Sequence, residues 1–158
     1  MKDVFMNNNL ISDDGKNGEI IKNDSVKYKN STWDDFYSYG VMYKSIVERS
    51  FKRKEVFTPV IIYNMSATAI EKLIMGVSIL NGTLPFCHTL SGLAEFSKNT
   101  LRFDEQLVND MNIMDSMQMI CSEDDISSKV PGIEDVPFFV DVMKRIYQKT
   151  ELYLKSVE

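Results

Sequence analysis

The stretch Pro59-Val-Ile-Ile-Tyr-Asn-Met-Ser-Ala-Thr-Ala-Ile-Glu-Lys-Leu-Ile-Met-Gly-Val-Ser-Ile-Leu80 decides the fold class. Its only charged residues are Glu71 and Lys72. Val60, Ile61, Ile62, Ala67, Ala69, Ile70, Leu73, Ile74, Val77 and Leu80 cover more than one narrow stripe of a helix. A helix apolar over so much of its girth belongs at the centre of a domain. Thr58 can cap its start, and Pro59 suits the first helical position, where a missing N–H is not needed. Asn81-Gly82 stops it, because Gly takes a left-handed cap without strain.

Helical periodicity continues on both sides. A first helix is expected to begin at Ser31 or Thr32, with Thr32 and Asp35 spaced as a capping box. Trp33, Phe36, Tyr39 or Gly40, Tyr43, Ile46 or Val47, and Phe51 form its stripe, and Lys52-Arg-Lys suits its end. After the central helix, a connection with Pro85 leads to a short helix from about His88 to Lys98, facing inward with Leu90, Leu93 and Ala94. A fourth helix is expected over about Asp104 to Ile120, with Leu107, Met111, Met114 and Met117 or Gln118 at helical spacing. The polar stretch Ser122 to Gly132, ending in Pro131-Gly132, reads as a loop. The last helix runs from about Asp135 to Lys155, turning Phe139, Met143, Ile146 and Leu154 inward, with Val136, Val140 and Tyr147 widening that face. The pattern predicts an all-α fold, an up-and-down four-helix bundle with an additional short helix. Residues 1–30 are rich in turn signals such as Asn17-Gly18 and read as an N-terminal arm or loose hairpin, with the bundle in residues 31–158.

Composition narrows the function classes. At 158 residues and 44% hydrophobic, the chain has enough apolar material for a core. Its net charge of -5 disfavours nonspecific binding to nucleic acid, which relies on cations to neutralise phosphates. No uninterrupted apolar run is long enough to span a bilayer, and the first residues lack the apolar segment of a signal peptide. A cytoplasmic protein without membrane contact is therefore expected. One histidine and two cysteines cannot make a four-ligand Cys/His metal site within one chain, so neither metal nor cofactor is expected.

The residues that invite a functional reading are few. Cys87-His88 is awkward as a thiolate–imidazole pair, because adjacent helical side chains do not face each other. A packed cysteine and a capping or loop-bracing histidine is the expected reading. Glu123-Asp124-Asp125, with Asp115 or Asp135, lacks the spacing of an EF-hand and reads as a solvated acidic loop. Arg49 and Lys52-Arg-Lys read as a charged helix end. The ten methionines suit core filling or a subunit interface. No Walker loop and no Gly-x-Gly-x-x-Gly run is present.

Ala67-Thr-Ala-Ile-Glu-Lys-Leu-Ile-Met-Gly-Val-Ser-Ile-Leu-Asn-Gly82, followed by His88-Thr-Leu-Ser-Gly-Leu93, a long helix, a Pro-containing loop and a final helix, resembles the HEPN family of nucleotide-binding domains. The resemblance implies a compact helical bundle, frequently dimeric, of a kind linked to ribonucleases, toxin–antitoxin pairs and partner nucleotidyltransferases. Ribonuclease members carry an Arg followed closely by a His near the last helix. Where that family places Arg-Tyr-Pro, this chain reads Cys121-Ser-Glu-Asp-Asp-Ile, and its one histidine is at the short helix. Acids in place of a phosphate-gripping cation repel an anionic substrate. The expectation is a non-catalytic HEPN-like module, with no catalytic residue, that binds a protein partner or nucleotide-type ligand as a homodimer. His88, Lys72, Arg53 and Arg102 are its candidate ligand or phosphate contacts. The alternatives are an RNA-processing enzyme with a rearranged site built on His88 and an arginine such as Arg102 or Arg53, and a structural or regulatory subunit without a small ligand.

Overall fold

A computed structural model of the chain describes residues 32–51, 57–117 and 130–157. The expected N-terminal arm, Lys52-Arg-Lys, Cys121 and Glu123-Asp124-Asp125 lie outside the described residues. Among the described residues there are five helices and no strand: α1 Trp33–Phe51, α2 Pro59–Leu80, α3 Leu90–Thr100, α4 Glu105–Ser116 and α5 Val136–Val157. The all-α expectation holds.

Local chemistry accounts for the helix starts. Thr32 and Asp35 form the reciprocal box expected of them. The Asp35 carboxylate accepts from Thr32 N–H and from its hydroxyl, both at 2.8 Å, while Thr32 Oγ1 accepts from Asp35 N–H at 3.3 Å. These bonds to Thr32 hold the Asp35 carboxyl below its ordinary pKa. Thr58 caps α2 through Ile61 N–H, Thr89 caps α3 through Gly92 N–H, and Asp104 caps α4 through Leu107 N–H. The α3 cap is Thr89, one residue beyond His88, so the helix starts two residues later than expected. At the end of α2, Gly82 takes φ +65°, the left-handed stop that its position implied.

α2 is the central helix, packed on α1, α3 and α5. Ile62, Ala69, Ile70, Leu73, Ile74 and Val77 are all essentially inaccessible. It is also the one described helix long and apolar enough to cross a membrane, a composition equally suited to a core helix, and over half of the apolar stretch is buried within the protein. Two glycines set its distance from α1. A Cβ on Gly40 would lie 2.7 Å from Leu73 Cγ, and one on Gly76 would lie 2.9 Å from Tyr37 Cβ and 3.0 Å from Trp33 O. These contacts run the two helices antiparallel and also settle the open positions of the α1 stripe. Gly40 and Val47 are buried, while Tyr39 is 57% exposed.

The expected inward residues of α3, α4 and α5 are buried, apart from Leu154 and Tyr147, which are half-buried. Met111, Met114 and Met143 are fully buried and Met75 nearly so, so these methionines fill the core. α4 and α5 are clamped by Asp110 and Arg145, an ion pair whose carboxylate also accepts from Gln106 Nε2 at 2.8 Å.

Direction along α3 departs from the expected simple alternation. Leu90 lies beside Tyr63 to Glu71 of α2. At the other end, Leu101 shares a cleft with Tyr153, whose hydroxyl bonds to Asn81 just past the end of α2. Thus α3 runs parallel to α2, and the connection Thr83–Thr89 climbs back along it. The reason is in the composition: Thr83 to Cys87 contains Pro85 and forms no helix, so the chain is extended enough to return before α3 starts.

Tyr63 joins α2 to α4 and α5. Its hydroxyl donates at 2.9 Å to Met114 O, a carbonyl in the last turn of α4 that also accepts from Met117 N–H, and its ring meets Phe139 edge-on at 5.2 Å. Burial first, and the charge of Asp115 second, push its pKa up to about 12. Tyr63→Phe is expected to lower stability by about 1 kcal/mol at neutral pH. In the wild type the folded phenol keeps its proton after the unfolded one has lost it. The stabilisation is therefore complete below about pH 10 and declines as pH rises towards 12, by up to about 1.4 kcal/mol per pH unit. Denaturant melts across this range should show a shallower alkaline loss in the variant; parallel curves would refute the assignment.

Candidate functional site

Two clefts hold two of the sequence-predicted residues, His88 and Arg102. The first, of about 270 Å³, is bordered by α2 and the start of α3 and contains His88. His88 Nδ1 lies 3.1 Å from Glu71 Oε1, and Lys72 Nζ lies 3.6 Å from the same oxygen. Lys72 also stands over the Phe36 ring, 5.3 Å from its centroid. The return of the chain along α2 produces this meeting, bringing the helix-start histidine to a residue seventeen positions earlier. The His88 side chain is 55% exposed, so its attraction to Glu71 is screened by water. Chemically, the carboxylate orients one ring nitrogen. Lys72 is already engaged by a carboxylate and an aromatic face, which weakens its candidacy as a phosphate contact.

Cys87 and His88 do not form a nucleophile–base pair. Cys87, expected to be packed, is exposed; its Sγ is 3.2 Å from Thr89 Oγ1, and a Cβ on Gly92 would lie 2.8 Å from Cys87 Cβ. The Thr89 hydroxyl, and then its N–H, lower the thiol pKa. Histidine and cysteine thus have separate polar neighbours. The helix-start bracing expected of His88 falls instead to Thr89 and to Asp115 on α4, whose carboxylate accepts from Leu90 N–H at 2.9 Å and Ser91 Oγ at 2.7 Å. Asp135 accepts from Gly132 N–H at 2.9 Å. Asp115 therefore braces the start of α3, and Asp135 the turn that leads into α5. Among the described residues no group of three or more His, Cys, Asp or Glu side chains is arranged to hold a metal ion.

The second cleft, of about 510 Å³, lies where α3 and α5 end, and Arg102 is in its lining. Arg102 is beyond the opposite end of α3 from His88. That helix has eleven residues and is about 16 Å long, so the two candidates are not brought together. Arg102 O accepts from Lys149 Nζ at 3.2 Å. Arg53 lies outside the described residues. Arg49 Nε donates to Ser45 O at 3.1 Å, as a charged helix end does.

Sequence reasoning missed Glu71 as the partner of His88, Asp115 as a brace of α3, and Lys149 beside Arg102. The Glu71-Lys72 pair was a local signal for the first, since a lone charged pair in an apolar helix marks its solvent-facing side. The other two depend on which helix ends meet, and no spacing in the chain reveals that. No protein-family model matches the chain, and no curated protein or solved structure shows significant similarity to it.

Proposed function

We propose that the protein is a non-catalytic helical module, HEPN-like in organisation, that binds a protein partner or a nucleotide-type ligand and works as a homodimer. The observation that carries this reading is the surroundings of His88. The one imidazole of the chain meets a carboxylate and a lysine bound to that carboxylate, and Arg102 stands beyond the far end of α3. Cleavage of a phosphodiester needs a proton-transfer group together with a group that stabilises developing negative charge. Glu71 is the wrong sign for the second task. In the same reading the long helices form an up-and-down four-helix bundle, with α3 as the additional short one. The supporting contacts are antiparallel: Gly40 with Leu73 and Gly76 with Tyr37 for α1 and α2, and Asp110 with Arg145 and Asp104 with Lys149 for α4 and α5.

The direct test is incubation of purified wild type and His88→Ala with single-stranded and structured RNA. Both are expected to leave it intact. Cleavage by the wild type that disappears in the variant would overturn the proposal.

For the homodimer, support comes from the outer face of α1, where Tyr39 and Met42 are 57% and 43% exposed and one turn apart. A stable dimer excludes roughly 1,200–2,000 Å² of total surface from water. Sedimentation over a wide concentration range should give a dimer that Tyr39→Glu dissociates; a monomer throughout would remove this part of the proposal.

A further inference from the structure

We infer that the cleft between the ends of α3 and α5 is the ligand site, and that it takes a phosphomonoester with a flat or apolar body, of the size of a nucleoside monophosphate. The inference rests on the binding-module reading above and gives it a place and a ligand chemistry. Its first support is charge. The chain is acidic overall, yet the lining of this cleft holds Arg102 and Lys149 and no carboxylate. Asp104, outside that lining, forms a long ion pair of 3.9 Å with Lys149 Nζ. The ends of α3 and α5 contribute fractional negative charge, about half a unit for a long helix, against two full positive charges.

The second support is backbone strain. Arg102 follows the Leu101 cap of α3 and takes φ +51°, the left-handed conformation. Glycine is the residue that fits there without strain, and a long side chain at such a position is disfavoured. Strain held at a cleft is the pattern of a side chain retained for use rather than for stability. This backbone turn also presents Arg102 O to Lys149 Nζ at 3.2 Å, so the lysine reaches the turn that carries Arg102.

The third support is the remaining lining. Leu152 is 65% exposed, and Tyr153 is held by its bond to Asn81, so the cleft has an apolar surface and a fixed ring. Thr100 and Ser156 supply hydroxyls. The volume of about 510 Å³ is within the range of small-molecule sites. Two cations and an apolar surface in one lining suit an anionic head on a flat body.

The experiment is calorimetric titration of the full chain with AMP, adenosine and inorganic phosphate. AMP should saturate, with adenosine and phosphate each at least about tenfold weaker, and the AMP affinity should fall as salt is raised. Arg102→Gly relieves the left-handed residue, so it should fold with an unchanged or higher thermal midpoint, and it should weaken AMP about tenfold or more. Lys149→Gln should weaken it in the same direction. His88→Ala, in the other cleft, should bind AMP like the wild type. Absence of saturable AMP binding would overturn the inference, as would adenosine binding as tightly as AMP, or AMP affinity unchanged in both cation variants. Loss of AMP binding in His88→Ala alone would move the site and overturn this placement while leaving a binding module standing. RNA cleavage that depends on His88 would instead overturn the binding-module reading, whatever AMP does.

Discussion

Leu73→Ala should destabilise the protein by roughly 2–5 kcal/mol, the range for a large aliphatic side chain removed from a packed core. Leu73 is completely inaccessible. It projects from the central helix onto Gly40, where a Cβ would come within 2.7 Å of its Cγ and 2.9 Å of its Cδ2. Leucine and glycine therefore make a knob and its hole. Urea melts should show the loss as a lower midpoint with an unchanged slope. A change below about 0.5 kcal/mol would be that of a surface position and would contradict the placement. The pairing adds a stricter check. Gly40→Ala should be destabilising alone and less so in the Leu73→Ala background, with a coupling of about 1 kcal/mol. The rescue should be partial, because the added Cβ also lies 2.9 Å from Leu73 N, which the substitution does not remove.

Gly76→Val should lower stability by about 3 kcal/mol, the upper part of the usual range for overpacking. A Cβ here would meet Trp33 O and Tyr37 N at 3.0 Å, and Tyr37 Cβ at 2.9 Å. Backbone atoms cannot rotate away, so α1 must shift as a body. The gain from replacing a mid-helix glycine, about 1 kcal/mol for Ala and less for a β-branched residue, does not offset that shift. Thermal melts of Gly76→Val and Gly76→Ala should rank the variants by size. Equal or raised midpoints would mean that the two helices are further apart than described.

The fold was legible wherever the physics is local. The limits of α2 follow from Thr58, Pro59 and Asn81-Gly82, and its burial from a nearly uncharged surface. The inward faces of α3, α4 and α5 follow from spacing alone. The choice between Tyr39 and Gly40 was not legible, because the aromatic residue is the more apolar of the two. The glycine is buried because Leu73 of another helix needs its space. The start of α3 was missed by two residues, since His88 and Thr89 are both polar residues before an apolar stripe and only Thr89 bonds to Gly92 N–H. His88 and Arg102 were identifiable as rare cationic or titratable groups near helix ends. Lys149 was not, and Glu71 only as a solvent-facing position, because both reach their partners through the direction of α3, which no periodicity encodes.

That direction has a consequence for how the domain opens. The return connection has little backbone pairing: Thr83 N–H bonds to Ser78 O at 2.9 Å, while Leu84 and Phe86 stand exposed. Segments with few contacts and open backbone groups belong to the low end of local opening free energies. Slow amide exchange should therefore be concentrated in two blocks, the glycine-spaced pair α1 and α2 and the α3–α4 hairpin braced by Asp115. Between them the amides of Leu84, Phe86, Cys87 and His88 should exchange early, as the seam along which the domain breathes.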